Sequence, residues 1–234
     1  MRLNVYVSHA GLCSRRQADE YIFSGKIKVN NKIVRAPWFR VKKGDKVAFE
    51  GRELLSPVGK VYLVMNKPPG YICTLNDKFA AKKITDLLPE NIGRVYPVGR
   101  LDKNSRGLLL LTNDGDFMQK IIHPRHEIEK EYVVWVSPSF SALDFKKIRR
   151  GILTEKDCLT VKSLKEIVSF PRKSKMRVVL TEGRKRHIRR IFENLGYRIL
   201  SLKRVRIGKL KLGYLREGEF RVIPRRVAER ALER

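Results

Sequence analysis

One carboxylate in the chain stands where its neighbours could make it reactive. Asp102 lies in Gly99-Arg100-Leu101-Asp102-Lys103-Asn104-Ser105-Arg106-Gly107, which runs on into Leu108-Leu109-Leu110-Leu111-Thr112-Asn113. Gly99 and Gly107 permit backbone angles that other residues avoid, and the leucine run reads as a strand that anchors the loop to a core. A carboxylate at the edge of such a rigid, fairly dry scaffold can serve as a nucleophile or as a base. Either role needs it ionised. Burial alone would raise its pKa, so a cation is wanted beside it. Taken alone, so short a motif of common residues reads more simply as a Gly-bounded turn entering a buried strand.

Other chemistries find little support. Cys13, Cys73 and Cys158 are too widely spaced for a disulfide framework or a metal knuckle and read as small apolar residues. His123 and His126 are three apart, but Pro124 argues against a helix presenting both to a metal. A nuclease would need clustered acids or paired histidines, and neither arrangement is evident. No metal and no cofactor is expected.

The elements that must position Asp102 belong to a very basic chain of 234 residues, with 52 Lys and Arg against 24 Asp and Glu and a net charge of +28. Solubility does not require such an excess, so a polyanion is the expected partner. The basic residues cluster at Arg15-Arg16, Lys42-Lys43, Lys146-Lys147, Arg149-Arg150, Arg184-Lys185-Arg186, Arg189-Arg190 and Lys203-Arg204. Apolar runs are short, Leu108–Leu111 among them, so no membrane span is expected. The start of the chain has no apolar stretch suited to a signal peptide, and a cytoplasmic monomer is expected.

Patterning divides the chain in two. A helix signal through Ser14–Ile22 stops at Gly25, a hairpin turns at Asn30-Asn31, and a further turn at Lys43–Lys46 precedes a strand over Val47–Phe49. Gly51–Gly59, with Ser56-Pro57, marks the boundary. Beyond it come strands near 61–65, 108–112, 131–136, 159–168, 175–181, 198–207 and 219–223. Helices are expected near 115–122, 139–150 and 184–195, with a helix or frayed tail at the end. This irregular alternation predicts an α+β fold.

Arg2–Ser8, Gly11–Asp19 and Gly25–Asn30 together resemble the S4-type RNA-binding domain over about residues 1–50. Ser14 can cap the helix and set Arg15 and Arg16 in its first turn, where amide donors favour a phosphate. The resemblance implies that this module anchors structured RNA through backbone and shape, with Arg2, Arg15, Arg16 and Lys26 as contacts.

Gly99–Asn113 also resembles the signature of ribosomal RNA pseudouridine synthases of the RsuA/RluB type. So, in order, do Asn66-Lys67-Pro68-Pro69-Gly70, Lys130-Glu131-Tyr132, Glu182-Gly183-Arg184 and Leu202–Gly208. The resemblance spans nearly the whole chain. It implies an S4-type helix-plus-sheet module at 1–55, followed at 60–234 by a mixed, mainly antiparallel α+β catalytic domain. The implied reaction isomerises uridine to pseudouridine in ribosomal RNA, large-subunit RNA in preference to small-subunit RNA, without cofactor.

By the same resemblance Asp102 is the nucleophile, Arg189 its paired cation and Tyr132 the ring against the target base. Arg100, Arg184, Arg186 and Arg190 become RNA ligands. Where many relatives have Gln, this chain has His187, which could donate a similar hydrogen bond but whose charge would vary with pH. The competing reading is a non-catalytic ribosome-assembly factor. Whichever holds, RNA affinity should fall steeply with salt, with a log-log slope of roughly −0.7 to −0.9 per phosphate contact in a filter-binding titration. Affinity indifferent to salt would remove the polyanion partner.

Overall fold

The computed structural model describes residues 1–55, 59–74, 81–154 and 157–233. The Ser56-Pro57 boundary signal lies outside the described residues. Two compact units emerge, one of Met1–Lys60 with Glu90–Val95 and the other of Val61–Pro89 with Tyr96–Arg234.

The first unit holds helices α1 (Leu3–His9) and α2 (Arg15–Phe23), followed by strands β1 (Ile27–Val29), β2 (Lys32–Ile33), β3 (Val47–Phe49) and β4 (Arg52–Leu54). The strands pair antiparallel in the order β2-β1-β3-β4. Sequence patterning assigns no element to 3–9, yet Leu3, Tyr6 and Val7 share one helical face and are all buried with Ala18, Ile22 and Val47. Ser14 does cap α2: its hydroxyl accepts from the Gln17 amide at 3.3 Å, and the Gln17 side chain accepts from the Ser14 amide at 3.2 Å. The Asn30-Asn31 turn has φ of 50° and 64°, the left-handed pair that matches a hairpin's twist.

The second unit is built on one large sheet. Its strands are β5 (Tyr62–Lys67), β6 (Tyr96–Pro97), β7 (Arg106–Thr112), β8 (Lys130–Ser137), β11 (Ser163–Phe170), β12 (Lys173–Leu180), β13 (Arg198–Ile207), β14 (Leu210–Lys211) and β15 (Phe220–Val222). A separate small pair comprises β9 (Ile152–Leu153) and β10 (Cys158–Leu159). The large sheet runs β11-β12-β8-β13-β7-β5-β15, with β6 and β14 added beside β7 and β13. All its described pairings are antiparallel except β13 with β7.

Helices complete two cores. Against β5 and β7 pack α3 (Gly115–Ile122), through Phe117 and Ile121, and the C-terminal α6 (Arg225–Ala228), through Ala228. Against β8 and β12 pack α4 (Ala142–Arg150), through Ile148, and α5 (His187–Asn194), through Ile188, Ile191 and Phe192. Leu108–Leu111 are wholly buried on both faces of β7, which is why that strand reads as a continuous apolar run. The expected basic helix from 184 starts later, at His187, because Arg186 takes a left-handed φ of 54°. The expected strand at 159–168 resolves into β10 and β11, and the chain ends in α6 and a 3-10 turn. No helix among the described residues is long and apolar enough to cross a membrane.

Gly107 sits where β7 meets β13. Its φ is +103°, and a Cβ there would lie 2.2 Å from the Arg204 carbonyl oxygen and 2.8 Å from the Arg204 nitrogen. Gly99, with φ +71°, would meet only an Ile122 methyl at 3.9 Å. Gly107→Ala should therefore cost about 3 kcal/mol from strain and overpacking combined, and Gly99→Ala only the conformational share of roughly 1 kcal/mol. In calorimetry that difference is a melting temperature lowered by roughly 6–12 °C for Gly107→Ala against a few degrees for Gly99→Ala. Equal shifts would mean that the β7–β13 contact tolerates a side chain.

Candidate active site

The loop that carries Asp102 is held from below by a buried lysine. Lys67 ends β5 with 0% exposure, and its ammonium donates to the carbonyl oxygens of Pro68 (3.0 Å), Asp102 (3.2 Å), Lys103 (3.0 Å) and Ser105 (2.8 Å). Three of the four acceptors belong to the Asp102 turn. Burial pushes the Lys67 pKa down to about 8, so the carbonyl cage holds an ammonium at neutral pH at the cost of its hydration. The turn is tied elsewhere too: the Ser105 amide donates to the Asp102 carbonyl at 3.0 Å, the Gly70 amide to the Lys103 carbonyl at 2.8 Å, and the Leu101 amide to the Cys73 sulfur at 3.4 Å.

The backbone of Asp102 is thus fixed while its carboxylate projects outward, 40% exposed. That corrects the expectation of a dry site, because the group stands at the floor of an open cleft. Arg189, on α5 and only 13% exposed, places its Nε 3.5 Å from Asp102 Oδ2. Its Nη2 donates to the Ser105 hydroxyl at 3.3 Å. Ser105, 1% exposed, therefore links the two cations, its carbonyl taking Lys67 and its hydroxyl Arg189. Burial of Ile188, Ile191 and Phe192 on one face of α5 sets the direction in which Arg189 points.

Tyr132 stands on β8 opposite Arg204 of β13 and Val178 of β12, half-buried against the second core. Asp102, Arg100, Tyr132, Arg189, Leu202 and Ser105 line one cavity of about 80 Å³, together with residues 183–184 and 186–188. The arrangement offers a fixed carboxylate, a cation on it, an aromatic wall and further guanidinium groups at the rim. It can hold a planar, polar ring against a nucleophile or base.

The remaining expected ligands divide by unit. Arg2, Arg15 and Arg16 are exposed on the first unit, and Lys26 pairs with Glu50 at 2.8 Å. On the second unit Arg100 is exposed and lines the cavity. Arg184 pairs with Glu182 (2.9 Å) and Asp157 (3.1 Å), and Arg186 with Glu193 (2.7 Å). Arg190 bonds Asp157 and the Thr154 hydroxyl, and its guanidinium holds the Asp157 carboxyl well below the usual range. Arg190 is thereby engaged inside the protein.

Three further outcomes refine the sequence reading. His187 is 3% exposed and burial lowers its pKa, so it is neutral at pH 7 and its charge is not a switch in that range. Cys13 and Cys73 are buried as expected, but Cys158 is exposed. Among the described residues no group of His, Cys, Asp and Glu could hold a metal. Sequence reasoning gave no role to Lys67 or Ser105. The signal for Lys67 was a lysine closing an otherwise apolar strand, Val61–Met65, where a charge demands partners.

Comparison with known proteins shows the family. Residues 61–194 match the RNA pseudouridylate synthase family, and residues 1–47 match the S4 domain. The chain is 37% identical over 223 residues to ribosomal large subunit pseudouridine synthase B of Bacillus subtilis, covering 94% of this chain and 91% of that protein. It is 34% identical to an uncharacterized RNA pseudouridine synthase of Aquifex aeolicus, covering 94% and 89%. A crystal structure of a pseudouridylate synthase superposes with a TM-score of 0.68 at 28% identity, over 99% of each chain. On these matches the chain belongs to the RNA pseudouridine synthases, isomerases of RNA uridine, and carries an N-terminal S4 domain.

Proposed function

We propose that the protein converts one uridine of large-subunit ribosomal RNA to pseudouridine, with Asp102 as the reacting carboxylate. The observation that carries the substrate class is the likeness to the B. subtilis large-subunit enzyme along nearly the full length of both chains. The chemistry rests on the shared cleft of Asp102, Tyr132 and Arg189.

The reaction breaks the bond between uracil N1 and ribose C1′, turns the base and joins C1′ to C5. The C5 proton is lost and N1 gains one, so the product is an isomer and neither oxidant nor water is consumed. Asp102 either attacks C1′ or first removes a sugar proton. Both need the carboxylate charged, and the Arg189 guanidinium lies 3.5 Å from it. To reach it the uridine leaves its stack, and the Tyr132 ring offsets part of that loss, about 1–3 kcal/mol for a stacked base. Arg100 contacts the RNA backbone or fills the place that the base vacates. The second unit, Val61–Pro89 with Tyr96–Arg234, carries the catalysis, and the first unit anchors the RNA through Arg2, Arg15, Arg16 and Lys26. Arg184 and Arg186 are the phosphate ligands nearest the cleft.

Large- and small-subunit ribosomal RNA transcripts tritiated at uridine C5 provide the test. The wild-type protein should release tritium from the large-subunit transcript, at one mapped position, and Asp102→Asn should release none above background while RNA length stays intact. Release from the small-subunit transcript alone would move the substrate. Release from neither would favour a binding factor, and shortened RNA a nuclease.

A further inference from the structure

The part of the large sheet formed by β11, β12, β8 and β13 has a core on one face only. Leu164, Met176, Val134 and Leu202 are buried there with residues of α4 and α5. Side chains alternate along a strand, so their neighbours point the other way. On that opposite face Val168, Lys175, Trp135 and Ser201 stand in one row across the four strands. Lys165, Arg177, Val133 and Lys203 form another, and Phe170 pairs with Lys173 where β11 turns into β12. None of these residues belongs to a described core.

The face is cationic. Lys165, Lys173, Lys175 and Lys203 have no carboxylate partner among the described residues, and Arg177 shares Glu131, at 3.3 Å, with Arg206. It also carries an aromatic pair. The rings of Trp135 and Phe170 stack with centroids 6.0 Å apart and planes at 27°, and Phe170 is 44% exposed. The Ser139 hydroxyl donates to the Phe170 carbonyl and so ties down the end of β11. The Lys173 ammonium lies 5.2 Å from the Trp135 centroid and 5.6 Å from that of Phe170, and Lys175 lies 5.7 Å from Trp135.

Such a surface suits a ligand that is both anionic and flat. A nucleotide is both, with a phosphate for the lysines and a base for the rings. A stacked base gains more than a lysine held over an exposed ring, so the ammonium groups can move from the rings to the phosphates as a base arrives. Bases within a helix keep their faces stacked on one another, and a duplex would therefore engage the lysines alone.

We propose that this open face binds an unpaired stretch of RNA, with a base stacked on the Trp135–Phe170 pair and phosphates held by Lys173 and Lys175. Tyr132 points to the other side of β8, so the surface is separate from the Asp102 cleft and holds nucleotides other than the reacting one. The inference needs RNA as the ligand and does not depend on which uridine reacts.

The chain has two tryptophans, Trp38 and Trp135, so Trp38→Phe in the full-length protein makes Trp135 the only one to report. The probe is a single strand of adenosine and cytidine, about 12 nucleotides long, which cannot pair with itself and offers the cleft no uridine. It should quench Trp135 emission saturably, whereas the same strand in a blunt duplex should bind, by anisotropy of a labelled end, without quenching. Phe170→Ala and Lys173→Met, both at exposed positions, should each weaken the affinity read from the quench by about 10-fold. The proposal is overturned if the single strand binds to saturation by anisotropy and leaves Trp135 emission unchanged. Equal quenching by the duplex would overturn it in favour of a surface for helical phosphates, and a response to anionic phospholipid vesicles alone in favour of a membrane surface. No uridine is converted in this titration, so its failure is distinct from a failure of the function proposed above.

Discussion

Everything at the cleft depends on one buried charge. Lys67 is out of reach of water, so its ammonium must be solvated by the protein, and four carbonyl oxygens do so. Three of them come from residues 102–105, and the price of burying the charge is met only when that turn closes around it. The turn is therefore specified by an electrostatic demand, while its side chains are free to face the cleft. Asp102 takes its position from its backbone and Arg189 from α5, and Ser105 joins both to the lysine.

The cleft lies where two cores share one sheet. Asp102 precedes β7, which packs with α3 and α6, whereas Tyr132 and Arg189 belong to β8 and α5 of the other core. The two halves are joined through β7 and β13, the parallel pair, at a spacing only Gly107 allows. A rigid seam of this kind holds groups from distant parts of the chain within a few tenths of an ångström, which is what a carboxylate acting on a particular carbon requires.

Much of this was legible in the residues, and for identifiable reasons. The Leu108–Leu111 run, the Asn30-Asn31 turn and the Ser14 cap each reflect a local rule, and each formed as expected. The pairing of Asp102 with Arg189 came from a resemblance, since nothing in the spacing of residues 87 apart dictates contact. What escaped was non-local. The α1 helix is decided by packing against α2, with asparagine and β-branched residues that give little helical signal of their own. The late start of α5 follows from one left-handed residue, Arg186, which the basic run 184–186 conceals. The joining of 90–95 to the first unit has no compositional mark. The exposure of Asp102 could not be read from its apolar neighbours, because the Lys67 cage that turns it outward is assembled from carbonyls, which every residue has.

The central claim is that Lys67 sets the reactive geometry of Asp102 without touching substrate. Single-turnover conversion by Lys67→Met at saturating RNA tests it most directly, with RNA affinity and near-ultraviolet circular dichroism measured on the same sample. The account predicts a folded protein with near-normal RNA affinity and a rate lowered by about 100-fold or more, as a misplaced reacting group would give. A folded variant that converts uridine within about twofold of the wild-type rate would contradict it.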